Sequence, residues 1–101
     1  MDNFSFHPEA EREFLESINY YEGCEKGLGK DFAREVFFTI NRIIKYPHAW
    51  SVLDTEIRRC QTRRFPYGVL YSVEKSGLIY VFAVMNLYRS PDNWKNRLDS
   101  Q

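Results

Sequence analysis

Arg58, Arg59, Arg63, Arg64 and Arg89 are five of the six arginines in the second half of the chain. A guanidinium is planar, permanently charged and able to hold two oxygens of a phosphate or carboxylate at once. The chemistry these residues offer is therefore the holding of an anion. Tyr88, beside Arg89, adds a phenol that is a poor base with its usual pKa near 10, yet can act as an acid or as a stacking surface. Cleaving a phosphodiester through a neighbouring 2′-hydroxyl demands a base, an acid and a cation facing the phosphate. Arg59, Arg64, Tyr88 and Arg89 are the residues such a reaction would draw on, and they supply the cation more clearly than the proton carriers. The plainer reading of the same arginines is a strand edge kept soluble by charge.

Other reactive residues are sparse. His48, followed by Asp54 and Glu56, is the one histidine placed to serve as a base, although a lone loop histidine is more often surface decoration. His7 precedes Pro8 and suits a helix start. Cys24 and Cys60 lack the close spacing that zinc ligation needs and read as two reduced thiols. The sequence holds no Gly-rich phosphate loop, HExxH run, zinc finger or Ser-His-Asp suggestion. Neither a cofactor nor a metal is expected.

The elements that must position these residues follow from periodicity. Phe4, Ser5 and Phe6 alternate as an edge strand would. Pro8 suits a first helical turn, and Ala10, Phe14, Ile18 and Tyr21 then trace one face of a helix over residues 8–22. After a loop marked by Gly23, Gly27 and Gly29, the series Phe32, Val36, Ile40, Ile43 and Ile44 predicts a second helix over residues 28–45, ended by Pro47. Residues 57–65 look like an arginine-rich strand, in which alternation would set Arg59 and Arg63 on one face and Arg58 and Arg64 on the other. Tyr67, Val69, Tyr71 and Val73 alternate in a further strand, and Lys75, Ser76 and Gly77 make a tight turn. Residues 78–87 are apolar on both faces, as in a strand inside a sheet. Residues 92–98 would form a short C-terminal helix. The expectation is a single α+β domain over residues 1–101, with a helical hairpin packed on an antiparallel sheet of three or four strands.

Composition bounds the partners. The 44% hydrophobic and 17% aromatic content belongs to a globular chain. Net charge is zero, but residues 1–31 carry eight carboxylates against three cations, whereas residues 57–101 carry eight cations against three carboxylates. A basic face opposed to an acidic one is expected, while overall neutrality argues against strong non-specific nucleic-acid binding. No apolar run approaches the ~20 residues of a membrane helix, and no secretory signal is visible, so a cytoplasmic location is expected.

Several segments together resemble the RelE/ParE superfamily of bacterial toxins, especially its plasmid-stabilisation members. They are the helix pair with Tyr20-Tyr21, Pro47 followed by Ile57-Arg58-Arg59, Arg64-Phe65-Pro66-Tyr67 running into Leu70-Tyr71, and residues 79–84 followed by Arg89, Pro91, Trp94 and Arg97. The resemblance implies the toxin of a type II toxin–antitoxin pair, held inactive by a cognate antitoxin. One branch of the superfamily cleaves mRNA on the ribosome without a metal; another inhibits DNA gyrase. Compared with the ribonuclease branch, Arg59 and Arg89 fill basic positions, but Gly68 stands where an arginine is common. Trp94 and Lys95 occupy a region that often holds tyrosine or histidine, and Asn86 stands where related members show histidine. Asn86 moves no proton near neutral pH. The resemblance thus leans to the ParE-like branch. A ribosome-dependent endonuclease and a decayed module that only binds antitoxin are the alternatives.

Overall fold

The helical hairpin forms where apolar spacing requires it. In the computed structural model, which describes residues 3–88, α1 spans Pro8–Cys24 and α2 spans Leu28–Lys45. His7 caps α1: its Nδ1 accepts the Glu9 N–H at 3.0 Å, and Pro8 opens the first turn. The N-cap of α2 is Gly27, which has no side chain to do the same work. Glu22 of α1 supplies it instead, its carboxylate accepting the N–H groups of Gly27 at 2.9 Å and Gly29 at 3.0 Å. An anion at a helix N-terminus also opposes the positive end of the helix dipole. The two helices are thereby pinned at their shared end.

The described residues form five strands, β1 Phe4–Phe6, β2 Ser51–Asp54, β3 Ile57–Gln61, β4 Tyr67–Val73 and β5 Ile79–Asn86, in the order β1-β5-β4-β3-β2. The sheet is larger than the three or four strands expected. It is also mixed, because β1 pairs with β5 in parallel, Phe4 opposite Ile79; the other pairs are antiparallel. The extra strand is β2, exposed at every position and formed by pairing with β3. The expected C-terminal helix over residues 92–98 lies outside the described residues.

Both helices pack on one face of the sheet. Ala10, Phe14, Phe32, Val36, Ile40 and Ile43 meet Cys60, Tyr67, Val69, Tyr71, Ile79, Val81 and Val84 in the main core. At roughly 25 cal/mol per Å², this burial is the chief stabilising term. Tyr71 is fully buried, and its hydroxyl donates to the Pro47 carbonyl at 2.7 Å, tying the end of the hairpin to β4. The register slips between Leu70 and Tyr71, so β5 bulges at Phe82. The bulge sets Phe82 and Ala83 together in a second buried cluster with Ile57 and Leu70, on the opposite face from the helices. Where β1 ends, Glu13 of α1 accepts the Val84 N–H at 3.2 Å, closing the open flank of β5.

Candidate basic site on the sheet

Strand β3 divides the arginines by face. Arg58 shares the helix side with Cys60 and is opposite Tyr71. Its guanidinium donates to the carbonyls of Trp50 at 2.7 Å and His48 at 3.2 Å, which makes it a brace for the loop after α2. Arg59, opposite Leu70, lies on the other face. Its stem runs over Gly68: a Cβ built there would meet Arg59 Cγ and Cδ at 3.2 Å and Leu87 Cδ2 at 3.2 Å. The missing side chain at position 68 is the space that Arg59 occupies.

The alternation expected over residues 57–65 stops early. β3 ends at Gln61, where the Thr62 N–H donates to the Tyr67 carbonyl at 2.9 Å and the Thr62 hydroxyl to the Phe65 carbonyl at 2.6 Å. Arg63 and Arg64 therefore sit in the turn between β3 and β4. The Arg63 N–H donates to Glu35 Oε2 at 2.8 Å. Arg64 leans towards α2, 3.9 Å from Asp31 Oδ2, with its guanidinium 5.3 Å over the Phe65 ring. Arg64 and Arg59 are thus turned to opposite sides of the sheet.

At the far end of β5, Tyr88 is 86% exposed. Its N–H donates to Asn86 Oδ1 at 2.8 Å, and Leu87, which precedes it, flanks Gly68 beside Arg59. Arg59 and Tyr88 accordingly lie at the same end of the sheet. Arg89 falls outside the described residues, as do Trp94, Lys95 and Arg97. His48 is exposed in the loop after α2, and its carbonyl is held by Arg58 on the helix side. Asp54 and Glu56 are exposed around the turn from β2 to β3. Among the described residues, no three of His, Cys, Asp and Glu converge in a group that could hold a metal ion.

A phenol network that no sequence pattern announces lies under the turn. Tyr67 OH is 3.2 Å from Ser17 Oγ, and the rings of Tyr21, Phe32, Phe65 and Tyr67 pack edge to face or tilted within 4.7–6.1 Å. Burial and the neighbouring Tyr67 push the Tyr21 phenol up to about 12. Burial also raises the Cys60 thiol, against the pull of Arg42 and Arg63. These groups stay protonated at neutral pH. They hold the turn in place and are unsuited to act as a base.

The model of the family described as "ParE toxin of type II toxin-antitoxin system, parDE" matches residues 4–87. The chain belongs to the ParE toxin family. It is the toxin of a type II toxin–antitoxin system, and that class implies an antitoxin partner. The fold agrees: the crystal structure of the isolated E. coli RelE toxin superposes with a TM-score of 0.64 at 14% identity, covering 100% of both chains. No curated protein matches the sequence. Among the described residues of this ParE-family toxin, no helix is long and apolar enough to cross a membrane. What sets the toxin's sheet apart chemically is a single arginine, Arg59, on the helix-free face, with no titratable histidine or carboxylate drawn to it by any hydrogen bond or ion pair among the described residues.

Proposed function

We propose that this ParE-family toxin acts in the cytoplasm by binding DNA gyrase rather than by cleaving mRNA, and that its cognate antitoxin blocks that contact. The observation that carries the reading is the company Arg59 keeps. Its stem lies over Gly68 beside Leu87, and the exposed Tyr88 follows Leu87 in the chain. This gives an anion-holding group and an aromatic contact, which suits recognition. Proton transfer typically contributes about 10²–10⁴-fold to such cleavage. Proton carriers are sparse beside Arg59: Asn86 moves no proton and accepts from the Tyr88 backbone, and the His48 loop is braced on the helix side. Within this proposal Arg59, Tyr88 and Arg89 form the target contact. Arg64, leaning on Asp31 and Phe65, serves the turn or the antitoxin.

The test pairs a gyrase supercoiling assay with primer extension on translated mRNA after induction. Gyrase inhibition that falls at least tenfold in Arg59→Ala, with mRNA intact, is the expected result. Cleavage of mRNA on the ribosome that disappears in Arg59→Ala and Tyr88→Phe would promote the endonuclease. Neither effect, with binding to the neighbouring gene product retained, would leave a decayed antitoxin-binding module as the account.

A further inference from the structure

The outward face of the helical hairpin carries exposed charge and apolar surface. On α1, Glu9, Glu11 and Glu16 stand against the single cation Arg12, while Glu13 is turned to β5 and Glu22 to the start of α2. On α2, Lys30, Arg34 and Lys45 outnumber Asp31, while Arg42 is turned to Gln61 and Trp50 and Glu35 to the Arg63 N–H. One helix is acidic and its neighbour basic, yet among the described residues the side-chain ion pairs are Arg12–Glu9, Arg34–Asp31 and Arg64–Asp31, none of them between the two helices. Along α2, Lys30, Arg34, Phe38, Asn41 and Lys45 recur at helical spacing on the side turned away from Val36, Ile40 and Ile43. Phe38 at the middle of this stripe is 65% exposed, and Leu15 and Tyr20 on α1 are 53% and 66% exposed.

We propose that this face is a dimer interface between two copies of the chain, related by a twofold axis parallel to the helices. Such an axis sets α1 of each copy across α2 of the other, so acid meets base twice. The other closed arrangement, with the axis in the interface but perpendicular to the helices, would set α1 on α1 and α2 on α2, like charge on like. The charge pattern selects the first.

Register within the hairpin fixes the pairs. Gly29 packs against Ile18 and Glu22, while the Phe14 and Phe37 rings are 5.4 Å apart. Glu16 lies between these levels, at the height of Arg34. Because the axis is parallel to the helices it preserves height, so Glu16 of one copy meets Arg34 of the other. Glu9 likewise comes level with Asn41, about one turn short of Lys45, and Arg12 with Phe38. A hairpin of two helices about 26 Å long and about 9 Å apart presents about 500 Å² per copy. The total of about 1,000 Å² lies at the lower end for a specific interface, so a reversible dimer with a Kd of roughly micromolar order is expected. The proposal is independent of the toxin's target.

Sedimentation of the full chain across the micromolar range tests it. The expected result is a monomer–dimer equilibrium that weakens as salt is raised, and that is lost in Phe38→Asp. Glu16→Lys and Arg34→Glu alone should each raise Kd about tenfold, and together should restore it to within about threefold. All three residues face solvent, so each variant should keep the wild-type melting profile, and the wild-type concentration and salt series stands whether or not they do. A chain that sediments as a monomer throughout overturns the proposal. So does a dimer indifferent to Phe38→Asp, or one that Glu16→Lys tightens.

Discussion

Replacing Gly29 with alanine sets two effects of opposite sign against each other. Glycine to alanine inside a helix ordinarily stabilises by up to about 1 kcal/mol. At Gly29 a Cβ would lie 2.5 Å from the Ile18 carbonyl oxygen and 3.0 Å from Glu22 Cβ. A carbon and a carbonyl oxygen approach comfortably to about 3.3 Å, so α2 must move off α1 by roughly 0.8 Å. What it would meet is backbone, which cannot swing aside. Overpacking of this kind costs about 1–3 kcal/mol. The movement also stretches the Glu22 hydrogen bonds to Gly27 and Gly29, worth about 1 kcal/mol together. Steric cost wins, and Gly29→Ala should lose about 2 kcal/mol. For a domain of about 100 residues that is a fall in Tm of roughly 8–16 °C. Gly23→Ala is the control, because Gly23 sits in the last turn of α1 with nothing within 4 Å of its added Cβ; it should gain about 0.5 kcal/mol. Thermal and urea unfolding of the pair reads the sign directly. If Gly29→Ala is as stable as wild type or more so, the close helix contact and the argument resting on it are wrong.

Glu22→Ala should cost about 1 kcal/mol in urea unfolding, because it removes the acceptor that caps α2 in place of a side chain at Gly27. Tyr71→Phe should cost about 1–2 kcal/mol by leaving the Pro47 carbonyl without its donor. Burial pushes the Tyr71 phenol from 10.0 to about 12, so the folded chain holds this proton more tightly than the unfolded one. The stability this lends is complete below pH 10 and drains away as pH rises from about 10 to about 12. Unfolding followed over that range should steepen for wild type and flatten in Tyr71→Phe. Gly68→Ala meets flexible side chains, Arg59 and Leu87. It should leave stability within about 1 kcal/mol while weakening gyrase inhibition, because it displaces the Arg59 stem.

The helices and the two inner strands were legible because each buries a stripe at its own period. The series Phe32, Val36, Ile40, Ile43 and the stop at Pro47 give α2 its bounds, and α2 is observed over Leu28–Lys45 as expected. Phe14, Ile18, Phe32, Val36, Ile40, Val69 and Tyr71, read from those periods, are all buried or packed against the core. Strand β2 was not legible, since none of its four residues is buried and its pairing with β3 is its whole reason for being a strand. The parallel pairing of β1 with β5 joins Phe4 to Ile79 across most of the chain, and no local pattern encodes a partner that distant. The bulge at Phe82 was equally hidden: an apolar run reads the same whether or not two neighbours share a face.

For the basic site, alternation separated Arg58 from Arg59 correctly, because both lie within β3. It failed for Arg63 and Arg64 because Thr62 ends the strand by hydrogen bonds to Phe65 and Tyr67, and a threonine in an arginine-rich run carries no visible sign of that role. Gly68 shows a different limit. Compared position by position, it looks like the loss of a cation. In three dimensions the loss at one position is room for another, since the diagonal neighbour Arg59 fills the space above it with its own stem. Two chains can then present a guanidinium over the same patch of sheet from different strands. A comparison that counts arginines by column would score this chain as depleted, whereas one that asks what lies over the surface of β4 would not. The case for a binding toxin therefore does not rest on the missing arginine. It rests on the company Arg59 keeps, in which proton carriers are sparse: Asn86 moves no proton and accepts from the Tyr88 backbone, and the His48 loop is held by Arg58 on the far side of the sheet.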